Sequence, residues 1–396
     1  MGYLLKRFII CLLIFLVSAP ATLLAAPQLE TYNPSSEARQ AGVLVWRLNA
    51  GKCTEDLLLL PNGNILLTAG SKQMAVSPQG QIIWENKGSG NFGQAIIDPY
   101  GSIYAASGSS ILETLPNGAK GWSFSNLPMA NKGKKSLLYL GPDKLLYLPL
   151  ADALYALDTK GHYVWSLFPW DYAEKYNTKA SARRVFLAGA ADERAFYVVY
   201  GEKADFRLAA VDRQGKFLWS YWLGDITRCE LFADGTGRLY ASVSYKKSAT
   251  NRPGQGKSKL LPGKILCFRY DSNRPVWEQP LKIEKDITAP VLYQDIILVT
   301  ANSEIKAFNA QSGSYLWDDR LLKLISPVAV NQQKGRIYAG SSEGYLYAVK
   351  PLGRMMWERK LDGGIERAPL ITPDGTIYVI TNKGSLYKIR DTVTDN

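Results

Sequence analysis

Cysteine and histidine are scarce in this chain, with four cysteines and a single histidine among 396 residues. Cys11 lies in an N-terminal apolar stretch, which leaves Cys53, Cys229 and Cys267, an odd number. So few cysteines in a chain of this length exclude a disulfide-dense scaffold. No two cysteines are adjacent in the sequence, and we expect the remaining three to be free, mostly buried thiols.

Long apolar runs and helical periodicity are also absent after the first thirty residues. No later run is long enough to span a bilayer, and no segment sustains an apolar pattern at i, i+3, i+4 and i+7. The apolar content of 46% and the charged content of 21% are ordinary for a soluble globular protein. These absences exclude a helical membrane protein and a helical-repeat protein.

The N-terminus has the pattern of an export signal. Lys6 and Arg7 precede an apolar stretch over about residues 8–17, and small residues follow it. The pattern predicts a signal peptide over residues 1–26 and a periplasmic or extracellular location, with an uncleaved membrane anchor as the alternative. Removing Lys6 and Arg7 lowers the formal net charge from +12 to +10, and this basic balance favours anionic partners.

Eight tryptophans recur at nearly regular spacing through the rest of the chain. The intervals between them are 38, 38, 43, 54, 58, 40 and 40 residues. Runs rich in β-branched and aromatic residues, such as 375–380 (GTIYVI), predict short strands within each interval. A period near forty that is filled by short strands is typical of propeller blades.

Turn sequences divide each period into four strands, A to D. Glycine, asparagine and proline supply the dihedral angles that tight hairpin turns require. Such turns are predicted between strands A and B at 61–63, 99–101 and 373–375, and between strands C and D at 78–80, 159–161, 213–215 and 311–313.

The strand count predicts a ring that closes through both ends of the chain. Seven complete units run from about Cys53 to Arg359, and three further strands follow. The missing strand D is residues 43–48 (VLVWRL), near the N-terminus. We therefore predict an all-β, eight-bladed β-propeller of four-stranded antiparallel blades whose last blade is closed by the N-terminal strand. The predicted boundaries are a linker at 27–42, the propeller at 43–390 and a C-terminal tail at 391–396.

The tryptophans are interpreted as structural anchors of the repeat. Each is expected to bury a rigid ring between neighbouring sheets, removing about 150–250 Å² from water, while its indole N–H needs an acceptor. The eight anchors are Trp46, Trp84, Trp122, Trp165, Trp219, Trp277, Trp317 and Trp357.

The segments that end in these tryptophans resemble a known repeat. Residues 210–219 (AVDRQGKFLW), 157–165 (LDTKGHYVW) and 308–317 (FNAQSGSYLW) are similar to the tryptophan-docking repeats of the pyrroloquinoline-quinone-type β-propellers. The similarity covers nearly all of the chain after the export signal. It implies an eight-bladed ring, in agreement with the strand count. The family contains quinone-dependent dehydrogenases and a non-catalytic, BamB-like branch of binding propellers.

The enzymatic branch implies groups that this chain does not offer. The resemblance to the dehydrogenases would imply Ca²⁺ held by Glu, Asn and Asp, an aspartate base and a ring formed by adjacent cysteines. The chain has no adjacent cysteines and no acidic cluster in its predicted loops, and His162 beside a C–D turn is interpreted as a solvated side chain. We predict a non-enzyme with no catalytic residue, no cofactor and no metal site; a quinone- or metal-dependent oxidoreductase is the alternative.

Two insertions break the repeat spacing and predict a partner-binding region. Residues 167–182 lengthen a D–A connection, and residues 245–264 lengthen a B–C loop on the same face of the ring. The first insertion is aromatic and cationic, and the second is a basic loop, a combination suited to an acidic partner. The predicted contact residues are Trp170, Tyr172, Tyr176, Arg183, Arg184, Lys246, Lys247 and Arg252.

The channel mouth on that face is a second candidate, either as a salt-linked channel or as a small-ligand site. Its predicted charged residues are Glu55, Asp56, Arg184, Arg228, Glu230, Asp286, Glu366 and Arg367. The sequence as a whole predicts an exported, monomeric, non-catalytic scaffold that binds an envelope protein or an anionic envelope polymer, and no nucleic acid. Peripheral contact with the membrane and a glycan-binding propeller remain open alternatives.

Overall fold

Antiparallel β-structure makes up all the regular secondary structure of the computed structural model. The structure describes residues 41–125, 137–150, 153–167, 185–202, 204–246, 263–281, 287–319 and 323–393. These ranges contain 32 strands and no helix, so none of them provides a helix that could cross a membrane. The strands form eight four-stranded sheets, arranged as the blades of a propeller.

Blades 1 to 4 follow β1 (Gly42–Asn49) in the chain. Blade 1 comprises β2 (Leu58–Leu59), β3 (Ile65–Ala69), β4 (Lys72–Val76) and β5 (Ile82–Lys87). Blade 2 comprises β6 (Ile96–Ile97), β7 (Ile103–Ser107), β8 (Ser110–Thr114) and β9 (Lys120–Phe124). Blade 3 comprises β10 (Tyr139–Leu140), β11 (Leu145–Pro149), β12 (Leu154–Asp158) and β13 (Tyr163–Leu167). Blade 4 comprises β14 (Val185–Ala191), β15 (Phe196–Glu202), β16 (Asp205–Val211) and β17 (Phe217–Gly224).

Blades 5 to 8 complete the ring. Blade 5 comprises β18 (Ile226–Ala233), β19 (Arg238–Tyr245), β20 (Gly263–Arg269) and β21 (Trp277–Leu281). Blade 6 comprises β22 (Val291–Tyr293), β23 (Ile296–Ala301), β24 (Glu304–Asn309) and β25 (Tyr315–Asp319). Blade 7 comprises β26 (Ala329–Asn331), β27 (Arg336–Gly340), β28 (Tyr345–Val349) and β29 (Met355–Lys360). Blade 8 joins β30 (Leu370–Ile371), β31 (Thr376–Ile380) and β32 (Ser385–Asp391) to β1.

The core lies between the blades. Every residue of β7, β27 and β31 is buried, because both faces of these strands are covered by neighbouring sheets. One apolar cluster combines Leu298 and Ile305 of blade 6 with Ile337 and Ala339 of blade 7. Strands covered on both faces read as continuous apolar runs, which explains why strands B and C lack the polar alternation of a half-exposed sheet.

Blade 8 closes the ring, as the sequence predicts. β1 pairs antiparallel with β32, from Gly42 opposite Asp391 to Asn49 opposite Ser385. The same junction is reinforced by Arg47, whose guanidinium lies 2.5 Å from the carboxylate of Asp362. Burial raises the pKa of Asp362, but hydrogen bonds, chiefly from Ser385 and then Thr381, outweigh it, so that the net pKa is lowered. The closure therefore combines a full strand pairing with charged contacts.

A second ion pair lies inside the same junction. Arg336 begins β27, and its Nη1 lies 2.5 Å from Oδ2 of Asp391 at the end of β32, with both side chains almost fully buried. The Tyr338 hydroxyl donates a hydrogen bond to the same Asp391 oxygen at 2.7 Å. Breaking a buried pair by removing one partner leaves a charge without compensation, so this contact ties blade 7 to the last strand of the chain.

Seven of the eight strand-D tryptophans reach the C–D turn of the next blade. Seven indole N–H groups donate to a backbone carbonyl there, and in most blades the glycine of that turn packs against the ring. A Cβ at Gly313, for example, would lie 2.5 Å from the Trp277 ring. The hydrogen bonds run from Trp46 to Pro78, Trp84 to Pro116, Trp122 to Thr159, Trp165 to Arg213, Trp219 to Tyr270, Trp277 to Ala310 and Trp317 to Pro351, at 2.7–3.2 Å.

Trp357 is the exception. Its ring is fully buried, and its indole N–H has no hydrogen-bond partner among the described residues. The neighbouring blade 8 has no C–D turn, because its strand D is β1 from the other end of the chain. Gly42 occupies the place of the turn glycine instead, since a Cβ there would lie 2.7 Å from the Trp357 ring. The closure thus keeps the packing of the anchor and omits its hydrogen bond.

Candidate partner-binding face

The ring has two ends, which differ in their connections. The turn face carries the A–B and C–D turns, and the loop face carries the B–C and D–A connections. The predicted insertions both join strand ends at the loop face, between β13 and β14 and between β19 and β20. Seven of the eight predicted contact residues lie outside the described residues: Trp170, Tyr172, Tyr176, Arg183, Arg184, Lys247 and Arg252.

Lys246 is the one predicted contact residue that the structure describes. It is exposed, and its ammonium group lies 3.2 Å from a carboxylate oxygen of Asp225. Both side chains are about half exposed, and ion pairs of this kind contribute little to stability. Lys246 therefore stands at the loop face with its charge already partnered.

The channel mouth at the loop face is linked by polar contacts. The Arg228 guanidinium donates to Glu230 at 2.8 Å, and Arg367 donates to the backbone carbonyl of Thr54. The Glu366 carboxylate accepts from the Asn382 amide at 3.2 Å. Of the other predicted residues, Glu55 is buried and Asp56 partly buried, whereas Arg184 and Asp286 lie outside the described part of the chain. The described charged residues thus make polar contacts here, and both predictions for the channel mouth stay predictions.

A cavity of about 960 Å³ opens at the opposite end, the turn face. Most of its wall is formed by the last residues of strands A and the A–B turns that follow them in blades 8, 1, 2 and 3, with Ala191 from blade 4; Pro78, Thr159, Tyr378 and Lys388 complete it. The apolar part of the wall includes Leu59, Leu60, Ile97, Leu140, Pro61, Pro99, Pro142 and Pro373. A further cavity of about 420 Å³ shares Leu59, Ile97, Leu140 and Ala191 and extends into the channel.

The carboxylates of this cavity are occupied by their own turns. Asp98 is buried and accepts the backbone N–H groups of Tyr100 and Ser102 at 2.9 Å each. Asp374 accepts hydrogen bonds from the hydroxyl groups of Thr372 and Thr376. The hydrogen bond from Thr372 is the main reason that the pKa of Asp374 is lowered, against a smaller opposing effect of burial. These carboxylates stabilise the turns and have little capacity left for a cationic ligand.

The lysines of the cavity are not paired with a carboxylate. Lys144 is exposed in the A–B turn of blade 3, and its Nζ lies 5.7 Å from the ring centre of Tyr100 in blade 2. Lys388 donates to the carbonyl of Pro78 at 2.9 Å and acts on Asp374 only at longer range. Neither ammonium group has a carboxylate oxygen within ion-pair distance among the described residues. The cavity is therefore apolar with a cationic rim.

Exposed apolar side chains surround the turn face. Of the large apolar residues that are exposed in the described ranges, all except Trp222 lie in an A–B turn, in a C–D turn or at the start of a strand D. Tyr100 and Leu352 stand in the turns, with 75% and 82% of their surface exposed. We call this set the apolar rim; the remaining members are Val43, Leu44, Val45, Ile82, Ile83, Tyr163, Val164, Leu218, Val276, Tyr315 and Leu316.

Sequence reasoning missed this face, although its turns were recognised. The Pro-Xaa-Gly turns at 61–63, 99–101 and 373–375 were interpreted as hairpin chemistry alone. Their prolines line the cavity because the three blades are consecutive in the closed ring. In the sequence, Pro-Xaa-Gly forms the A–B turn in blades 8, 1 and 2 but not in the other blades. An aromatic residue, Tyr100, stands in one of these three turns.

The described cysteines are wholly or partly buried, and the histidine is exposed beside a carboxylate. Cys229 and Cys267 are free and fully buried, in strands A and C of blade 5, and Cys53 is free and partly buried. Burial raises the pKa of Cys267 to about 12, so this thiol stays protonated and unreactive at neutral pH. His162 is exposed, with Nδ1 3.0 Å from a carboxylate oxygen of Asp158. The described residues contain no group of three or more His, Cys, Asp or Glu arranged to hold a metal ion.

Comparisons with known proteins identify relatives of the repeat. Residues 204–396 match the family model described as outer membrane protein assembly factor BamB. The chain is 26% identical over 132 residues to the BamB of Burkholderia pseudomallei, covering 32% of this chain and 33% of the relative. It is 28% identical over 131 residues to the BamB of Escherichia coli, covering 32% of each chain. The matches thus span about a third of the length of these curated relatives.

Solved structures with the same fold cover almost the whole chain. The crystal structure of BamB from Moraxella catarrhalis aligns with a TM-score of 0.62 at 15% identity, over 90% of this chain and 99% of that one. The structure of the Dos1 propeller aligns with a TM-score of 0.63 at 12% identity, over 91% and 98%. At these identities the structures establish the fold alone. The repeat sequences and the family match over residues 204–396 together support a PQQ-like β-propeller repeat family for this chain, with BamB-like proteins among its relatives.

Proposed function

We propose that the chain is a non-catalytic propeller scaffold of the cell envelope that takes part in outer membrane protein assembly and binds an envelope protein. The observation that carries this proposal is the match of residues 204–396 to the BamB family model. That match covers the strands from β16 to β32, including both partners of the β31–β32 pairing in the closing blade. A fold of this type hosts unrelated functions, so the named relatives, and not the ring itself, favour assembly.

The same relatives support a periplasmic location. A factor for outer membrane protein assembly works where envelope proteins reach the outer membrane, and this agrees with the export signal predicted over residues 1–26. We place the protein in the periplasm. The basic charge favours a partner with an acidic surface.

Capture from cell envelopes tests this function. The purified protein is added to envelopes and crosslinked, and captured molecules are identified by mass spectrometry. We expect an envelope protein engaged in outer membrane protein assembly to be recovered in a fixed ratio. Recovery of an anionic polymer alone would contradict the proposal, as would formation of a stoichiometric quinone chromophore after equilibration with the quinone and Ca²⁺.

The loop-face insertions are proposed as part of the contact surface. A variant lacking residues 246–259 and the double variant Trp170→Ala/Tyr172→Ala should capture less of the same protein while the melting temperature stays unchanged. Lys160→Ala, which changes an exposed lysine at the turn face, is the control. Equal capture by all variants would remove the insertions from the contact surface and leave the assembly function itself in place.

A further inference from the structure

The turn-face cavity is built from one side of the ring. Prolines occur in the A–B turns of four consecutive blades, at Pro373, Pro61, Pro99 and Pro142, and all four line the cavity. A ring of eight equivalent blades would give a symmetric channel mouth, whereas here the apolar wall is confined to blades 8, 1, 2 and 3 with one residue of blade 4. A concave, mostly apolar surface of this size is typical of a binding site.

The exposed lysine at the rim of the cavity bears on the charge of its occupant. The cavity lining contains two aspartates and two lysines, and the carboxylates of Asp98 and Asp374 accept hydrogen bonds from their own turns, with Lys388 acting on Asp374. Lys144 is exposed at the rim, with its ammonium group against the Tyr100 ring and no carboxylate in ion-pair contact among the described residues. An incoming carboxylate would meet the exposed ammonium group of Lys144 beside an apolar wall, so local charge complementarity favours an acidic, apolar occupant.

The apolar rim indicates that the occupant is large. A small ligand held against the cavity wall would contact Tyr100 but would leave Leu352 and most of the apolar rim exposed to water. Tyr100 and Leu352 are 75% and 82% exposed, and exposed apolar surface of this kind can serve as an interaction site. A polypeptide that enters the cavity and continues across the face would cover the cavity and the neighbouring part of the rim together.

We propose that the turn-face cavity is a docking site for an extended polypeptide segment in which apolar side chains flank a carboxylate. Lys144 binds the carboxylate, and the wall formed by Leu59, Ile97, Leu140 and the turn prolines holds the apolar side chains. This site rests on the proposed function, because it specifies the chemistry of the envelope protein that the scaffold binds. It lies at the opposite end of the ring from the insertions, so the two faces bind separate parts of a partner or separate partners.

Fluorescence anisotropy with a defined peptide tests the site. The probe is a fluorescein-labelled ten-residue peptide in which leucine and aspartate alternate, compared with peptides in which lysine replaces aspartate or serine replaces leucine. Lys144→Glu should weaken binding of the first peptide by about tenfold, and both altered peptides should bind weakly to the unmodified protein. Lys383→Glu is the matched control, since Lys383 is exposed at the loop face and the change in net charge is identical. Tyr100→Ser should also weaken binding, and the melting temperature of each variant reports its folding.

Several results would overturn the docking site. Equal loss of binding in Lys144→Glu and Lys383→Glu would mean that overall charge alone attracts the peptide. Absence of peptide binding together with Lys144-dependent binding of phosphatidylglycerol vesicles would mean that the face contacts a membrane. Envelope capture that is unchanged in Lys144→Glu and Tyr100→Ser would also reject the site, while leaving the proposed function intact. Peptide binding without any envelope capture would instead reject the function and retain the site.

Discussion

At the scale of single residues, a tryptophan anchor usually packs between blades and donates a hydrogen bond. The anchor at the ring closure, Trp357, keeps only the packing among the described residues. Trp219 is buried and donates its indole N–H to Tyr270 at 2.7 Å, whereas the buried Trp357 donates to no described residue. An unsatisfied buried donor contributes no stabilisation and carries the cost of its desolvation. Trp357 thus stabilises the fold through packing alone.

Exchange of these two tryptophans for phenylalanine should separate packing from hydrogen bonding. Both changes reduce the buried ring, but only Trp219→Phe also leaves the Tyr270 carbonyl without its donor. We expect Trp219→Phe to lower the free energy of unfolding by about 1 kcal/mol more than Trp357→Phe does. Urea denaturation followed by far-ultraviolet circular dichroism measures both. A larger loss for Trp357→Phe would show that packing at the closure dominates.

The glycine of a C–D turn leaves room for a tryptophan ring as well as adopting a positive φ. A comparison of two glycine variants measures the two contributions separately. Gly313 and Gly235 both have positive φ, at 71° and 77°, but a Cβ at Gly313 would meet the Trp277 ring at 2.5 Å, and one at Gly235 would meet nothing within 4 Å. Gly235→Ala should cost about 1 kcal/mol from backbone strain alone. Gly313→Ala should cost about 1–3 kcal/mol more, because the indole must move. Equal melting temperatures for the two variants would contradict this docking role.

At the scale of elements, β1 is the strand on which the ring depends. It supplies the fourth strand of blade 8 and seven paired positions with β32. Without it, the edge of β32 and the buried ring of Trp357 would be exposed, and an open ring edge is a site for aggregation. The strand is therefore required for a closed propeller even though it stands far from blade 8 in the sequence.

Two deletions test separately whether β1 and the segment before it, residues 27–40, are needed for folding. Deletion of residues 27–50 should prevent the ring from folding, because it removes β1. Deletion of residues 27–40 keeps β1 and should leave a folded ring with a cooperative thermal transition. Size-exclusion chromatography and circular dichroism compare them. A monodisperse, folded protein after deletion of 27–50 would refute the closure.

The elements also show what local sequence could predict. Strand positions and turns were predicted from β-branched runs and from Pro and Gly, because these residues restrict φ and ψ locally. The strands at 43–48 and 384–389 were assigned to one blade, and β1 and β32 pair as expected. The pairing could be inferred because a complete repeat has four strands, so three strands at one end require one at the other.

At the scale of the whole molecule, the site was harder to predict than the fold. Sequence reasoning directed attention to the loop face, because insertions break the repeat there, and most of those residues lie outside the described ranges. The turn face emerged only when Leu59, Leu140 and Lys388, from three different blades, were seen to line one cavity. Each lies in an ordinary repeat position, so no local pattern distinguishes them.

The sequence by itself determined the repeat, the number of blades and the closure of the ring. These properties are periodic, and each follows from residues that act within one blade or on the next. Tertiary structure decided which turns surround the channel mouth, and why Lys144 and the Trp357 indole find no carboxylate and no acceptor within the described ranges. Those features depend on distances between residues such as Lys144 and Tyr100, or Gly42 and Trp357, which the chain brings together only when the blades have closed into a ring.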